Sequence, residues 1–370
     1  MARNVCVVRD NRYLEHETGL VHPENPNRLR AIYNMLDSDF PGELKTIEPE
    51  PATMDELELV HTPIYIEKVL STANFQFTYL APDSPASAKT YLAAWLAVGG
   101  CLKALEELMS GRCQAGFALV RPPGHHALPD RASGFCIFNN LGVTARQALK
   151  AYGLERILIV DWDIHHGNGL QQLFYGVKEV LYFSTHYISS FPQTGDWSET
   201  GQGPGLGYTV NIPLPKNLGD EDMLHCYREI LGPIFRRYRP QLVLVAAGFD
   251  THRRDPLGRT SLTEQGFAWL TQLLLNLTAE IGEPPILMAL EGGYDTKALA
   301  SSVREVLLTL TAEKPGLEIP EVFTPVGAEL VAKASSIHAE YGVWIGGESE
   351  PETAGQEDSE LKTARDRSVT

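Results

Sequence analysis

The apolar positions of this chain fall into two alternating patterns. Short continuous runs, many of them β-branched, occupy 4–8, 117–120, 157–160, 180–183, 242–246 and 286–290. Runs of this length without polar interruption suit strands buried on both faces. The stretch 208–214 alternates and reads as a further strand. Between the strands, apolar residues recur at helical spacing over 28–36, 64–70, 86–109, 139–152, 220–238 and 261–281, and Asp295 opens a last long helix. Thr53 followed by Glu56 has the form of a capping box, and His61-Thr62-Pro63 breaks the helix that it starts. The stretches 78–87, with Pro82 and Pro85, and 189–207, rich in Gly and Pro, read as loops. No internal repeat is visible. Strands alternating with helices predict an α/β fold: one mostly parallel sheet with helices on both faces.

Four of the buried runs lead into polar motifs. Val120 is followed by Arg121-Pro122-Pro123-Gly124-His125-His126, and Val160 by Asp161-Trp162-Asp163-Ile164-His165-His166. Gly248-Phe249-Asp250 follows the run ending at Ala246-Ala247, and Glu291-Gly292-Gly293-Tyr294 follows Leu290. A parallel sheet binds ligands outside the carboxyl ends of its strands, so all four motifs are expected on one rim. Asp163 and His165 are two apart and point the same way in an extended segment. With Asp250 they offer two hard oxygens and one imidazole nitrogen, a three-ligand zinc site with room for water. Such a metal lowers the pKa of water and polarises a carbonyl. His125 and His126 are adjacent bases, Asp161 is placed to fix the tautomer of His125, and the Tyr294 hydroxyl is a donor for an oxyanion. Singly, each has a bland alternative: a polar turn for the histidines, a helix cap for Asp250, a core tyrosine for Tyr294. The four motifs together favour a site for amide hydrolysis.

Composition narrows the setting. The net charge of −16 argues against nucleic acid as a partner and is compatible with cationic substrates such as lysine tails or polyamines. No apolar run reaches the roughly 18 residues of a membrane span. The first residues are too charged for a secretory signal. Five scattered cysteines, Cys6, Cys101, Cys113, Cys136 and Cys226, with no CxxC pair, read as reduced thiols in a cytoplasmic protein. Residues 1–345 are taken as one catalytic domain and 346–370 as an acidic, disordered tail, with Trp344 docking on the body just before it.

The motifs RPPGHHA, GFCIFNN, DWDIHHGNG, GFD and LEGGYD, in this order, resemble the zinc-dependent histone deacetylase superfamily, which includes acetylpolyamine amidohydrolases and acetoin-utilisation proteins. HPENPNRL, from His22, resembles its N-terminal signature. The resemblance implies an arginase/deacetylase fold with a sheet of about eight strands. It implies Zn²⁺ on Asp163, His165 and Asp250, with His125, His126 and Tyr294 catalytic. It implies a narrow acyl-lysine tunnel walled by Phe135 and Phe191, with Gly134 nearby and Leu257 at its edge. It also implies two K⁺ sites. The inner one uses Asp161, Asp163, His165, Ser184 and Thr185; the outer one uses the carbonyls of Phe174, Val177, Val180 and Tyr208.

Three residues refine the subgroup. Tyr294 stands where poor deacetylases of the family carry His, which favours an enzyme over an acyl-lysine binding module. Asn168 follows the class II-like branch; it brings no charge to His126, so His125, paired with Asp161, is expected to be the more basic. Leu257 stands where a polyamine-specific relative has a Glu. The expected substrate is therefore an acylated lysine peptide or protein. An acetylated small amine is the alternative, for which Asp83 on an early loop is the candidate acid. Loops 76–88 and 189–207 are expected at the tunnel mouth, where a second subunit of a homo-oligomer could cover them.

Overall fold

The computed structural model describes residues 3–312 and 317–342. Strand β1 (Val5–Val8) is followed by α1 (Asn27–Asp39) and the short edge strand β2 (Lys45–Ile47). Two short helices come next, α2 (Met54–Leu57) and α3 (Pro63–Leu70), then a hairpin of β3 (Phe77–Ala81) and β4 (Ser84–Ser87). From there helix and strand alternate: α4 (Thr90–Met109), β5 (Ala115–Ala118), α5 (Asn140–Tyr152), β6 (Ile157–Asp161), α6 (Asn168–Phe174), β7 (Val180–His186) and β8 (Thr209–Pro213). Helices α7 (Asp220–Cys226) and α8 (Gly232–Tyr238) precede β9 (Leu242–Ala247), α9 (Glu264–Glu280), β10 (Ile286–Leu290), α10 (Thr296–Thr311) and α11 (Pro325–His338).

Eight strands form one sheet in the order β2-β1-β5-β10-β9-β6-β7-β8. Every pairing in it is parallel. Every residue of β1, β5, β6, β7, β9 and β10 is buried, as helices around the sheet require. Helices α1, α10 and α9 pack side by side, and α4 packs on α5. The four strands whose ends carry the polar motifs, β5, β10, β9 and β6, are consecutive in the sheet. Their carboxyl ends therefore share one rim.

Several expectations are corrected. Residues 78–87 are not a loop but fall within the β3–β4 hairpin, in which Tyr79 pairs with Pro85. A two-stranded ribbon has open edges, so a proline need not break it. Helix α4 accordingly begins at Thr90 rather than 86, after the Ser87 N–H is taken by the Thr90 hydroxyl at 2.8 Å. The helix expected over 220–238 is interrupted by a π-helical turn, Tyr227–Leu231, just before Pro233, which lacks the N–H for an ordinary turn. Asp295 caps α10 through the Ala298 N–H at 2.7 Å. That helix is not the last, because α11 follows it. Residues 343–370, with Trp344 and the expected tail, lie outside the described residues.

Helix α4 is rich in small residues because it runs close to backbone. A Cβ on Gly99 would overlap the Glu50 carbonyl and lie 2.8 Å from the Ala52 N–H, which itself bonds to the Trp95 carbonyl at 3.1 Å. Gly99→Ala is expected to destabilise the protein by about 1–3 kcal/mol, as overpacking does. A urea midpoint unchanged from wild type would contradict this close approach.

Candidate active site

The polar run after β6 turns back on itself through its own carboxylates. Asp161 Oδ1 accepts the Asp163 N–H at 3.2 Å, and Asp163 Oδ1 accepts the His165 N–H at 2.8 Å. Asp250, beyond the neighbouring β9, accepts the Ile164 N–H at 2.9 Å through Oδ1. Its Oδ2 lies 2.9 Å from His165 Nδ1, and Asp163 Oδ1 lies 3.1 Å from the same nitrogen. Two carboxylates and one imidazole thus converge in a buried spot, with their ligand atoms within 4.8 Å of one another. Donors on a tetrahedral ion with bonds of about 2.0–2.1 Å sit about 3.3 Å apart, so the set fits a zinc ion. The space is kept by glycines: a Cβ on Gly248 would collide with the Asp163 carboxylate, and one on Gly292 with the Asp250 carboxylate. The Gly292 N–H donates to Asp163 Oδ2 at 2.8 Å.

Burial opposes the charge on Asp163, but His125, His165 and the backbone donor outweigh it and hold the carboxyl far below its usual range. Burial and the charge of Asp163 push Asp250 up to about 7. A cation between two such carboxylates relieves this repulsion.

The two histidines after β5 differ in support. His125 Nδ1 meets Asp161 Oδ2 at 3.1 Å, and the Tyr182 hydroxyl donates to the same oxygen at 2.9 Å. His126 Nδ1 meets Asn168 Oδ1 at 2.8 Å. Their rings lie 4.0 Å apart. Burial lowers the basicity of both. Around His125 it is outweighed by Asp161, Asp163 and Glu291, which bring the imidazole up to about 10. His126 has only neutral Asn168 beside its Nδ1, and burial together with the neighbouring imidazoles holds it well below the ordinary value.

The turn that carries Tyr294 is held through its backbone. Asp255 Oδ2 accepts the Tyr294 N–H at 2.6 Å, while Asp255 Oδ1 accepts the Leu257 N–H at 2.9 Å. Arg28 donates to the carbonyls of Glu291 at 2.5 Å and Gly293 at 2.6 Å, and its guanidinium lies 5.1 Å from the centre of the Tyr294 ring. Burial, with Asp250 nearby, keeps the phenol protonated and able to donate.

The expected wall residues gather around this rim. Phe191 packs edge-on to His126 at 5.0 Å, and Phe135 to Tyr294 at 6.0 Å. Gly134 lies between: a Cβ there would collide with the His126 ring and lie 2.8 Å from Phe191. Asp83 Oδ2 accepts the Gly134 N–H at 3.0 Å. Leu257 is tied to Tyr294 through Asp255. Ser184 pairs with Asp161 across β6 and β7, next to Thr185. Phe174, Val177, Val180 and Tyr208 lie elsewhere, around the amino ends of β7 and β8, with Val177 N–H on the Phe174 carbonyl at 2.9 Å and Tyr182 N–H on the Tyr208 carbonyl at 2.9 Å.

Sequence reasoning gave no role to a set of buried charges behind the site. Glu24 accepts both Nε and Nη2 of Arg121 and, at 3.1 Å, Nη1 of Arg28. All three side chains are sealed from solvent. Glu291 Oε2 accepts the Gly124 N–H at 2.7 Å and the His125 N–H at 3.1 Å, which pins the histidine turn. The i,i+4 spacing of Glu24 and Arg28 was a signal for their pair; nothing local pointed to Arg121 as its third member.

Comparison with known proteins agrees with this geometry. Residues 22–310 match the histone deacetylase domain. Histone deacetylase 15 of Arabidopsis thaliana is 38% identical over 344 residues, which cover 90% of this chain and 61% of that protein. A probable deacetylase of Archaeoglobus fulgidus is 36% identical over 294 residues, 79% of this chain and 81% of the relative. The crystal structure of the HDA15 HD domain superposes with a TM-score of 0.85 at 36% identity, covering 92% of this chain and 95% of that one. The eight-stranded parallel sheet is thus the arginase/deacetylase fold, and this chain belongs to the histone deacetylase domain family.

Proposed function

We propose that this protein is a zinc-dependent deacylase that hydrolyses the amide of acyl-lysine side chains. The observation that carries this reading is the convergence of Asp163, His165 and Asp250 beside two unequally supported histidines, with Tyr294 on a neighbouring turn fixed by Asp255. A zinc ion held by these three residues supplies a Lewis acid and an acidified water. His126 donates its Nδ1–H to Asn168 and so keeps Nε2 as an acceptor; it takes the proton of the attacking water. His125, drawn up by Asp161, carries positive charge beside the developing oxyanion, and Tyr294 donates its hydroxyl to that oxygen. His126 returns that proton to the leaving amine as the C–N bond breaks, which restores its neutral state. Phe135 and Phe191 exclude water from the alkyl chain. The two K⁺ sites rest on the family resemblance alone.

A peptide substrate is favoured over a polyamine by the apolar Leu257, whose N–H is held by Asp255 at 2.9 Å beside the Tyr294 turn. The test is acetate release by zinc-loaded protein from an acetyl-lysine peptide and an acetylated polyamine, side by side. Higher kcat/KM on the peptide is expected; the reverse would move the reading to the small amine. Tyr294→Phe is expected to lower kcat by roughly 10²-fold or more with KM little changed. An undiminished kcat would make the hydroxyl structural. Among the described residues no helix is long and apolar enough to cross a membrane.

A further inference from the structure

Loop 189–207 has one regular element, the turn Gly203–Gly205. Loops longer than about 12–15 residues are usually functional or disordered. This one is held from below. His186, the last residue of β7, places Nε2 at 2.9 Å from the Gly195 carbonyl. A carbonyl only accepts, so Nε2 carries the proton, and Nδ1 accepts from the Ser184 hydroxyl at 2.9 Å. Glu199 Oε1 accepts the N–H groups of Gly195 and Asp196, each at 3.0 Å, and Oε2 accepts the Gln171 amide. That last contact orients the amide. Gln171 Oε1 then accepts His166 Nε2–H at 2.9 Å and Asn211 Nδ2 at 2.7 Å. His166 Nδ1 is left to accept from the Thr194 hydroxyl at 2.7 Å. The two imidazoles lie 4.6 Å apart. Gly195, at φ +84°, rests directly on both rings, and a Cβ there would strike them.

One part of the loop, Phe191, packs on His126, and the next part is keyed to His166, the neighbour of ligand His165. A hydrogen-bonded network of this kind, anchored on the buried His166, His186 and Gln171, restricts the loop to few low-energy arrangements. We propose that this network sets the width of the acyl tunnel. His166, His186, Gln171 and Glu199 are positioning residues: they hold Phe191 against His126 and so determine the acyl length that the tunnel accepts. This rests on the deacylase reading above.

The test uses the full chain with Thr194→Val, which deletes one hydroxyl, and Glu199→Gln, which weakens the acceptor for two backbone donors. Three quantities are measured: zinc content, amide hydrogen exchange across 189–202, and kcat and KM on acetyl- and butyryl-lysine peptides. Zinc content stays at the wild-type level. Exchange at the Gly195 and Asp196 amides rises roughly tenfold or more as the loop loosens. The butyryl-to-acetyl ratio of kcat/KM rises roughly fivefold or more, through KM rather than kcat. Thr194→Ser keeps the hydroxyl and restores the wild-type ratio. Unchanged exchange, or faster exchange with an unchanged ratio, overturns the proposal. A wild-type protein that cleaves neither peptide overturns the deacylase reading itself, a failure recognisable because it appears before any substitution is made.

Discussion

Asp250→Ala is expected to abolish zinc binding and turnover together. The substitution removes one of the three proposed ligands, the oxygen 2.9 Å from His165 Nδ1. It also leaves the Ile164 N–H without its acceptor at 2.9 Å. The first effect costs turnover roughly 10³-fold or more, since the site then holds too few donors for a stable ion. The second costs about 1–3 kcal/mol of stability, the usual penalty for an orphaned buried donor. Asp250→Asn separates the two. Its amide oxygen can still accept from Ile164, so the fold is spared, while the anionic ligand is gone. Elemental analysis and acetate release on both variants read the outcome. Turnover that survived with the metal lost would refute the assignment of the ligand set.

Glu24→Ala is expected to destabilise the protein more than any surface substitution. It leaves Arg28 and Arg121 buried without their shared counter-charge, and breaking a buried pair in this way costs about 3–5 kcal/mol. The loss is expected as a fall in urea midpoint and in Tm. It also loosens the site, because Arg28 holds the carbonyls on either side of Gly292. The same network gives a pH dependence. Burial raises the Glu24 carboxyl, but Arg121, with His16 and Arg28, outweighs it and holds the group well below the ordinary carboxylate range. Its contribution to stability is therefore complete above the unfolded-state value of about 4.3 and is lost as the pH falls toward the depressed folded value. Acid unfolding of Glu24→Gln should begin from lower stability at neutral pH and fall less steeply below about pH 4. A wild-type slope in that variant would show that Glu24 does not control the acid limb.

Much of the architecture was legible because it rests on local patterns. The runs at 157–160, 242–246 and 286–290 are too apolar to face water on either side, and each became a buried strand. The capping box at Thr53 and Glu56 formed as written, with the Thr53 N–H on Glu56 Oε2 at 2.7 Å. The errors arose where pairing or context overrides composition. Pro85 reads as punctuation, yet sits in a ribbon that asks for no second partner. Lys45–Ile47 is too short and too polar to announce a strand, and it is one only because β1 offers it a free edge.

The chemistry divides along the same line. Local sequence already offered the candidate ligand types and their order: Asp163 and His165 lie on one extended segment, where spacing alone puts them on the same side. Parallel topology then implied a shared rim. The tertiary structure decided what depends on distant residues. It made β5, β10, β9 and β6 neighbours, which is why Asp250 meets His165 across 85 positions of chain. It assigned Glu291 to the histidine turn and Arg28 to the tyrosine turn. It also separated the two histidines electrostatically, by setting a carboxylate beside one and an amide beside the other. Such choices depend on which side chains lose water together, a property of the folded interior that no run of neighbouring residues contains.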